Sequence, residues 1–186
     1  LHDHWIGKEV FQDEFRPDLL ITFGKSIISK SLKLFLRKQQ VAHWHIQPDG
    51  QAKDPFQSLS RVVASEPLPV LRWMLEEIPS QDSNYFQGWQ NLESRVSDAL
   101  PKLLREVEFG EYGALATVLD RTPSSSLIHV ANSMAVRYLN FLGRRAQDVC
   151  CNRGTSGIDG SSSTAVGAAF VCEGLVTLIT GDMAFF

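Results

Sequence analysis

The sequence predicts an α/β protein built on parallel strands. Three observations carry this: short apolar runs closed by turn residues, amphipathic stretches at helical spacing, and alternation of the two along 186 residues. Asp18 to Phe23 (DLLITF) is a buried strand closed by Gly24. Ile27 to Lys38 follows as a helix with Ile28, Leu32, Phe35 and Leu36 on one face. Val41 to Ile46 is a second strand, stopped by Pro48-Asp49-Gly50, and Arg61 to Ala64 a short third. After the break at Glu66-Pro67-Leu68-Pro69, Val70 to Ile78 reads as a helix. Asn84 to Val107 places Trp89, Leu92, Val96, Leu100 and Leu103 at helical spacing, with Pro101 expected to kink or split it. Tyr112 to Leu119 is one more helix.

Beyond Ser124-Ser125-Ser126 the texture changes. Leu127 to Val130 is a strand, and Asn132 or Ser133 caps a helix reaching about Phe141. Gln147 to Cys151 is another strand, Asn152 to Thr164 a loop rich in glycine and serine, then a helix of very small residues from Ala165, and Leu175 to Thr180 the final strand. A boundary near residues 121–126 separates two lobes, 1–122 and 123–186.

Composition narrows the function. A chain 44% hydrophobic with net charge −3 is folded rather than disordered, and it lacks the basic excess that nucleic acid demands. No apolar run has the length of a membrane span. Cys150, Cys151 and Cys172 form a poor disulfide framework, which favours reduced thiols and a cytoplasmic location. The chain opens on Leu1 and stops on Phe185-Phe186, so it reads as an internal piece of something larger.

Ligands of open α/β sheets collect at the carboxyl ends of strands. Three such ends are small, polar or charged: Ala131-Asn132-Ser133, Asn152-Arg153-Gly154 and Thr180-Gly181-Asp182. Ser133 and Arg137 share one side of a helix's first turn, a hydroxyl and a guanidinium suited to an anion, or else a cap and a solvated arginine. Arg153 opens NRGTSGIDG, whose Gly154, Gly157 and Gly160 permit close backbone approach, although the spacing is not that of a dinucleotide loop. Asp182 after Gly181 suits a divalent ion held against a phosphate, or a plain helix cap. Lys30 alone reads as a surface lysine. The pairs His2/His4 and His43/His45 have the same-side spacing of strands but no third metal ligand, and the adjacent cysteines have no redox spacing.

Together ANSMAVRYLN, NRGTSGIDGSSSTAVGAA and TLITGDMAFF resemble the thiamine diphosphate enzymes that make 2-succinyl-5-enolpyruvyl-6-hydroxy-3-cyclohexene-1-carboxylate, the MenD family. FGKSIISKSLKLFL resembles the family's middle-domain G-x-S-x-x-x-K-x-L segment, and YFQGWQ is in character. The resemblance implies the remainder of a Rossmann-like middle domain followed by the first part of a thiamine diphosphate-binding domain. It implies decarboxylation of 2-oxoglutarate and addition of the succinyl carbanion to isochorismate, for menaquinone synthesis, in a homo-oligomer (dimer or tetramer). Lys30, Ser133, Arg137 and Arg153 then match residues of the pocket for the carboxylated substrates, with Arg137 and Arg153 as the catalytic pair. Asn132, Ser133, Ile158, Gly181 and Asp182 match the cofactor site, Ile158 as the prop of its V shape and Asp182 as the ligand of Mg2+ or Mn2+. Met183 departs from the glycine that thiamine enzymes usually carry there. The activating glutamate and the motif's asparagine have no match in the chain, so the chain alone is expected to be inactive and not to bind the cofactor. Other thiamine-dependent 2-oxoacid decarboxylases or synthases, and a non-catalytic phosphate-binding or assembly module, are the alternatives.

Overall fold

The computed structural model describes residues 1–25, 27–51, 54–79 and 83–185. Ser26, within the G-x-S-x-x-x-K-x-L segment, and the terminal Phe186 lie outside the described residues. Among these residues the architecture is α/β, with two three-stranded sheets whose strand pairs are all parallel, as the alternation of runs predicts. The chain divides into two compact units, His2–Arg95 and Val96–Phe186 with Leu1.

The first unit carries β1 (Leu19–Phe23), β2 (Ala42–Ile46) and β3 (Leu59–Val63) in the order β1-β2-β3. Helix α1 (Lys30–Gln39) crosses from β1 to β2 and buries Phe35 and Leu36. It starts three residues later than its apolar spacing suggests because Ser29 caps it: the Leu32 amide donates to Ser29 Oγ at 2.9 Å, and Ser29 Oγ in turn donates to Asp3. Arg37 on α1 donates from Nη2 to the Pro55 carbonyl at 2.7 Å, anchoring the β2–β3 connection. The β2–β3 register shifts between His43 and Trp44. There Ser60 repairs the ladder, its hydroxyl accepting from the His43 amide at 3.1 Å and donating to the His43 carbonyl at 3.0 Å.

Two helices depart from expectation. Helix α2 (Pro67–Glu77) begins on the prolines read as a break, because proline fits a helix's first turn, where its missing N–H has no partner to lose. Helix α3 (Asn84–Glu106) runs unbroken through Pro101. His2 and His4 lie in a short 3-10 helix (His2–His4), not on a strand, so alternate-residue spacing gives them no common face there. Their neighbours Trp5 and Ile6 are buried, and a second 3-10 turn (Glu9–Phe11) leads to Phe15, which is 1% exposed. Phe15 meets Trp5, Phe11, Tyr85 and Trp89 ring to ring. Gly88 permits this approach, since a Cβ there would lie 3.1 Å from Phe15 Cε1. YFQGWQ is therefore the helical side of an aromatic core.

The second unit is organised on β4 (Leu127–Val130), flanked by β5 (Asp148–Cys150) and β6 (Val176–Ile179). Ile128, Val130 and Ala131 are fully buried. Helix α4 (Glu111–Arg121) contributes Leu115, Ala116 and Leu119 to the core, and α5 (Met134–Leu142) contributes Val136, Leu139 and Leu142. Helix α6 (Ser161–Val171) begins four residues before the expected start, because the Gly160 carbonyl accepts from the Thr164 amide (3.0 Å) and from its hydroxyl (2.7 Å). A short α7 (Asp182–Phe185), not foreseen, follows β6. No helix among the described residues is long and apolar enough to cross a membrane.

Two outcomes follow from this packing. Phe15→Ala removes the centre of the aromatic core and should destabilise the first unit by about 3–5 kcal/mol, read from denaturant unfolding; a loss under about 1 kcal/mol would contradict the packing. His43 and His129 are both held below the usual histidine range, chiefly by burial. Below about pH 6.5, the ordinary histidine range, the unfolded chain takes up protons that these folded rings refuse. Stability should thus be full above about pH 6.5 and fall on acidification from there, and an unfolding midpoint level between about pH 7.5 and 5.5 would count against it.

Candidate functional site

Parallel pairing forces strands to end on the same side of a sheet. With β4 between β5 and β6, the tips Ala131-Asn132-Ser133, Asn152-Arg153-Gly154 and Thr180-Gly181-Asp182 stand side by side along one edge. The Ala131 amide donates to the Ile179 carbonyl at 2.8 Å, carrying the β4–β6 ladder to that edge.

Asn132 ties these tips together. It is 3% exposed. Its Nδ2 donates to the Asn152 carbonyl at 2.7 Å and the Gly157 carbonyl at 2.6 Å. Its Oδ1 accepts from Arg153 Nη1 at 2.7 Å and from the Cys151 thiol at 3.5 Å. Burial pushes the Cys151 thiol up, against the opposing pull of Arg153, so it stays protonated and able to donate. Arg153 is half-buried, and its Nε is enclosed with no hydrogen-bond partner. A buried donor without an acceptor is costly, which makes this guanidinium edge a place where an anion would be welcome.

Ser133 occupies the N-cap position of α5, but its hydroxyl caps nothing. The sharp strand-to-helix turn holds it at φ 69° and ψ −131°, a backbone conformation that a residue with a Cβ adopts only under strain. The side chain is exposed as a result. Arg137 lies four residues along the same helix, exposed and without an ion pair among the described residues. Ile158 is half-buried in the loop that Asn132 pins at Gly157. The loop is closed from its other side by Asn152 Nδ2, which donates to Thr164 Oγ1 on α6 at 3.0 Å.

Asp182 opens α7 directly after β6, its carboxylate exposed, and Gly181 before it has open space where a Cβ would be. One carboxylate beside a side-chain-free backbone suits a hard divalent ion that takes its remaining oxygens from phosphates and water. Among the described residues no group of three or more histidine, cysteine or acidic side chains is placed to hold a metal alone. The residues therefore fit an ion carried in with a diphosphate, not a self-contained metal centre.

Lys30 is exposed at the first turn of α1 and belongs to the other compact unit. His43 and His45 share a strand face, and Thr22 Oγ1 bridges His43 Nε2 (2.7 Å) and His45 Nδ1 (2.8 Å). Sequence reasoning missed the knot made by Asn132 with Cys151, Asn152 and Gly157. Its one visible signal was an asparagine directly following a run of buried apolar residues.

The strain at Ser133 yields a test. Glycine accepts the observed backbone angles freely, so Ser133→Gly should raise stability by about 1 kcal/mol while removing the exposed hydroxyl. Thermal unfolding reads the gain; a lower melting temperature would contradict the strained turn.

No family model matches the chain. Curated proteins do. The chain is 38% identical over 180 residues to the 2-succinyl-5-enolpyruvyl-6-hydroxy-3-cyclohexene-1-carboxylate synthase of Cytophaga hutchinsonii, covering 94% of this chain and 32% of that protein. It is 35% identical over 178 residues to the synthase of Bacteroides fragilis, covering 94% and 31%. Against the synthase of Bacillus cytotoxicus it is 32% identical, covering 100% and 32%. The chain thus spans about a third of the length of the curated relatives it matches. The resemblance carried by its strand-end motifs holds over nearly the whole chain, which matches a segment of the 2-succinyl-5-enolpyruvyl-6-hydroxy-3-cyclohexene-1-carboxylate synthase family.

Proposed function

We propose that the protein carrying this chain is a thiamine diphosphate-dependent transferase. It decarboxylates 2-oxoglutarate and adds the succinyl unit to isochorismate, as a cytoplasmic homo-oligomer in menaquinone synthesis. The single observation that supports this most is the cationic, strand-tip cluster centred on Arg153, in a chain whose relatives carry that synthase name. Both substrates are dianions, and a guanidinium with an unpaired buried donor is the chemistry that receives a carboxylate. Arg137 and Ser133, set on the first turn of one helix, supply a second cation and a hydroxyl toward the same class of ligand. The family resemblance assigns Lys30, exposed at the first turn of α1, to substrate binding as well.

Gly181 and Asp182 would hold the cofactor's diphosphate through Mg2+ or Mn2+, and Ile158 would press its apolar side chain against the cofactor's body. When bound, the cofactor supplies the electron sink for losing carbon dioxide. The chain's own residues orient the two carboxylated substrates and offset their charge, so that the reacting carbons meet in a fixed geometry. In this reading residues 1–122 belong to a Rossmann-like middle domain and 123–186 to the diphosphate-binding domain.

In the intact protein, Arg137→Ala and Arg153→Ala should each lower kcat/KM for isochorismate by about 100-fold, equivalent to about 2.7 kcal/mol. Values within twofold of the unaltered protein would overturn the assignment. The chain by itself, given thiamine diphosphate, magnesium and 2-oxoglutarate, should release no carbon dioxide.

A further inference from the structure

We infer that Asn132 is a positioning residue, which holds the Arg153 guanidinium by a neutral acceptor and so leaves its whole positive charge for a carboxylate substrate. The inference rests on the reading that Arg153 receives such a substrate. Two features carry it. First, the Asn132 amide has no capacity left for a ligand: both Nδ2 hydrogens go to the Asn152 and Gly157 carbonyls, and Oδ1 accepts from Arg153 and Cys151. Its contribution to any bound molecule must therefore pass through the groups it holds. Second, Arg153 is anchored by an amide oxygen where a carboxylate would have been the stronger partner.

A carboxylate in that place would grip the guanidinium and cancel its charge. The amide grips without cancelling, and Arg153 has no ion pair among the described residues. One guanidinium edge is fixed by Asn132 while the enclosed Nε remains unpartnered. Arginine on a loop has many rotamers, and holding it before the ligand arrives removes that ordering cost from binding. The same amide pins Gly157, next to Ile158, so the arginine and the loop's apolar residue are set by one side chain.

A double-mutant cycle in the intact protein tests this. Arg153→Ala first identifies which dianion, 2-oxoglutarate or isochorismate, loses affinity. Asn132→Ala should raise the KM of that same substrate at least tenfold, with kcat changed less than threefold. In the Arg153→Ala background the same substitution should add less than twofold. Equal effects in both backgrounds would overturn the inference, since a purely structural asparagine acts whether or not the arginine is present. Asn132→Asp keeps an acceptor for Nη1 but brings a cancelling charge and gives up both donations to the Asn152 and Gly157 carbonyls. It should raise that KM at least tenfold with Arg153 present and less than twofold in the Arg153→Ala background. An unchanged KM in the aspartate variant would overturn the inference, and this variant decides the matter if Asn132→Ala does not fold. If Arg153→Ala leaves both KM values unaltered, the functional reading fails and takes the inference with it, an outcome separate from additivity.

Discussion

The parallel pairing of β4 with both β5 and β6 is the constraint on which the rest of the second unit depends. Parallel strands cannot be joined by tight turns, so each returns through a crossover and all three chain exits fall on one edge. Residues far apart in sequence become neighbours there without any long-range attraction between them: Asn132, Arg153 and Asp182 each follow a strand. The apolar burial of Ile128 and Val130 stabilises the sheet, and the polar tips are carried to their places by it.

That placement has costs, which fall on the tips. Ser133 is held in a strained backbone conformation, Arg153 Nε is enclosed without a partner, and Ser161 Oγ is likewise buried and unpaired at the start of α6. The strain at Ser133 and the unpaired Arg153 Nε suit the anion site proposed for this sheet edge. The Asn132 amide works in the opposite sense, since four hydrogen bonds converge on it and link β4 to the loop after β5. Rigidity and unmet bonding capacity thus stand side by side. In the first unit Thr22 Oγ1 links His43 Nε2 and His45 Nδ1 across the sheet while His43 Nδ1 stays buried without a hydrogen-bond partner, and the core is the aromatic cluster around Phe15.

Much of this was legible in the residues. Short apolar or β-branched runs located the six strands among the described residues to within two residues at each end, most sharply at β4, whose Ile128 and Val130 are fully buried. The three polar strand ends were recognisable as a group because each follows such a run. Helix starts were less legible. Ser29 and Gly160 set the starts of α1 and α6 through local hydrogen bonds that apolar spacing does not register, and Pro67 and Pro69 opened α2 where they were read as a stop. Pro101 sits in α3 without ending it, directly after the buried Leu100. His2 and His4 show how alternate-residue spacing misleads when the segment is not a strand.

Local chemistry alone therefore determined the class of fold, the order of its elements and the residue types offered at each strand end, since burial and turn preference act over a few neighbouring residues. Which strands lie beside β4 was a tertiary matter, as was the conversion of Asn132 from a helix-cap candidate into the clamp on Arg153. Those outcomes require partners some twenty positions away, at Asn152, Arg153 and Gly157, to be brought within hydrogen-bonding reach. Only the closing of the β4–α5–β5 crossover beside the buried strand β4 does that.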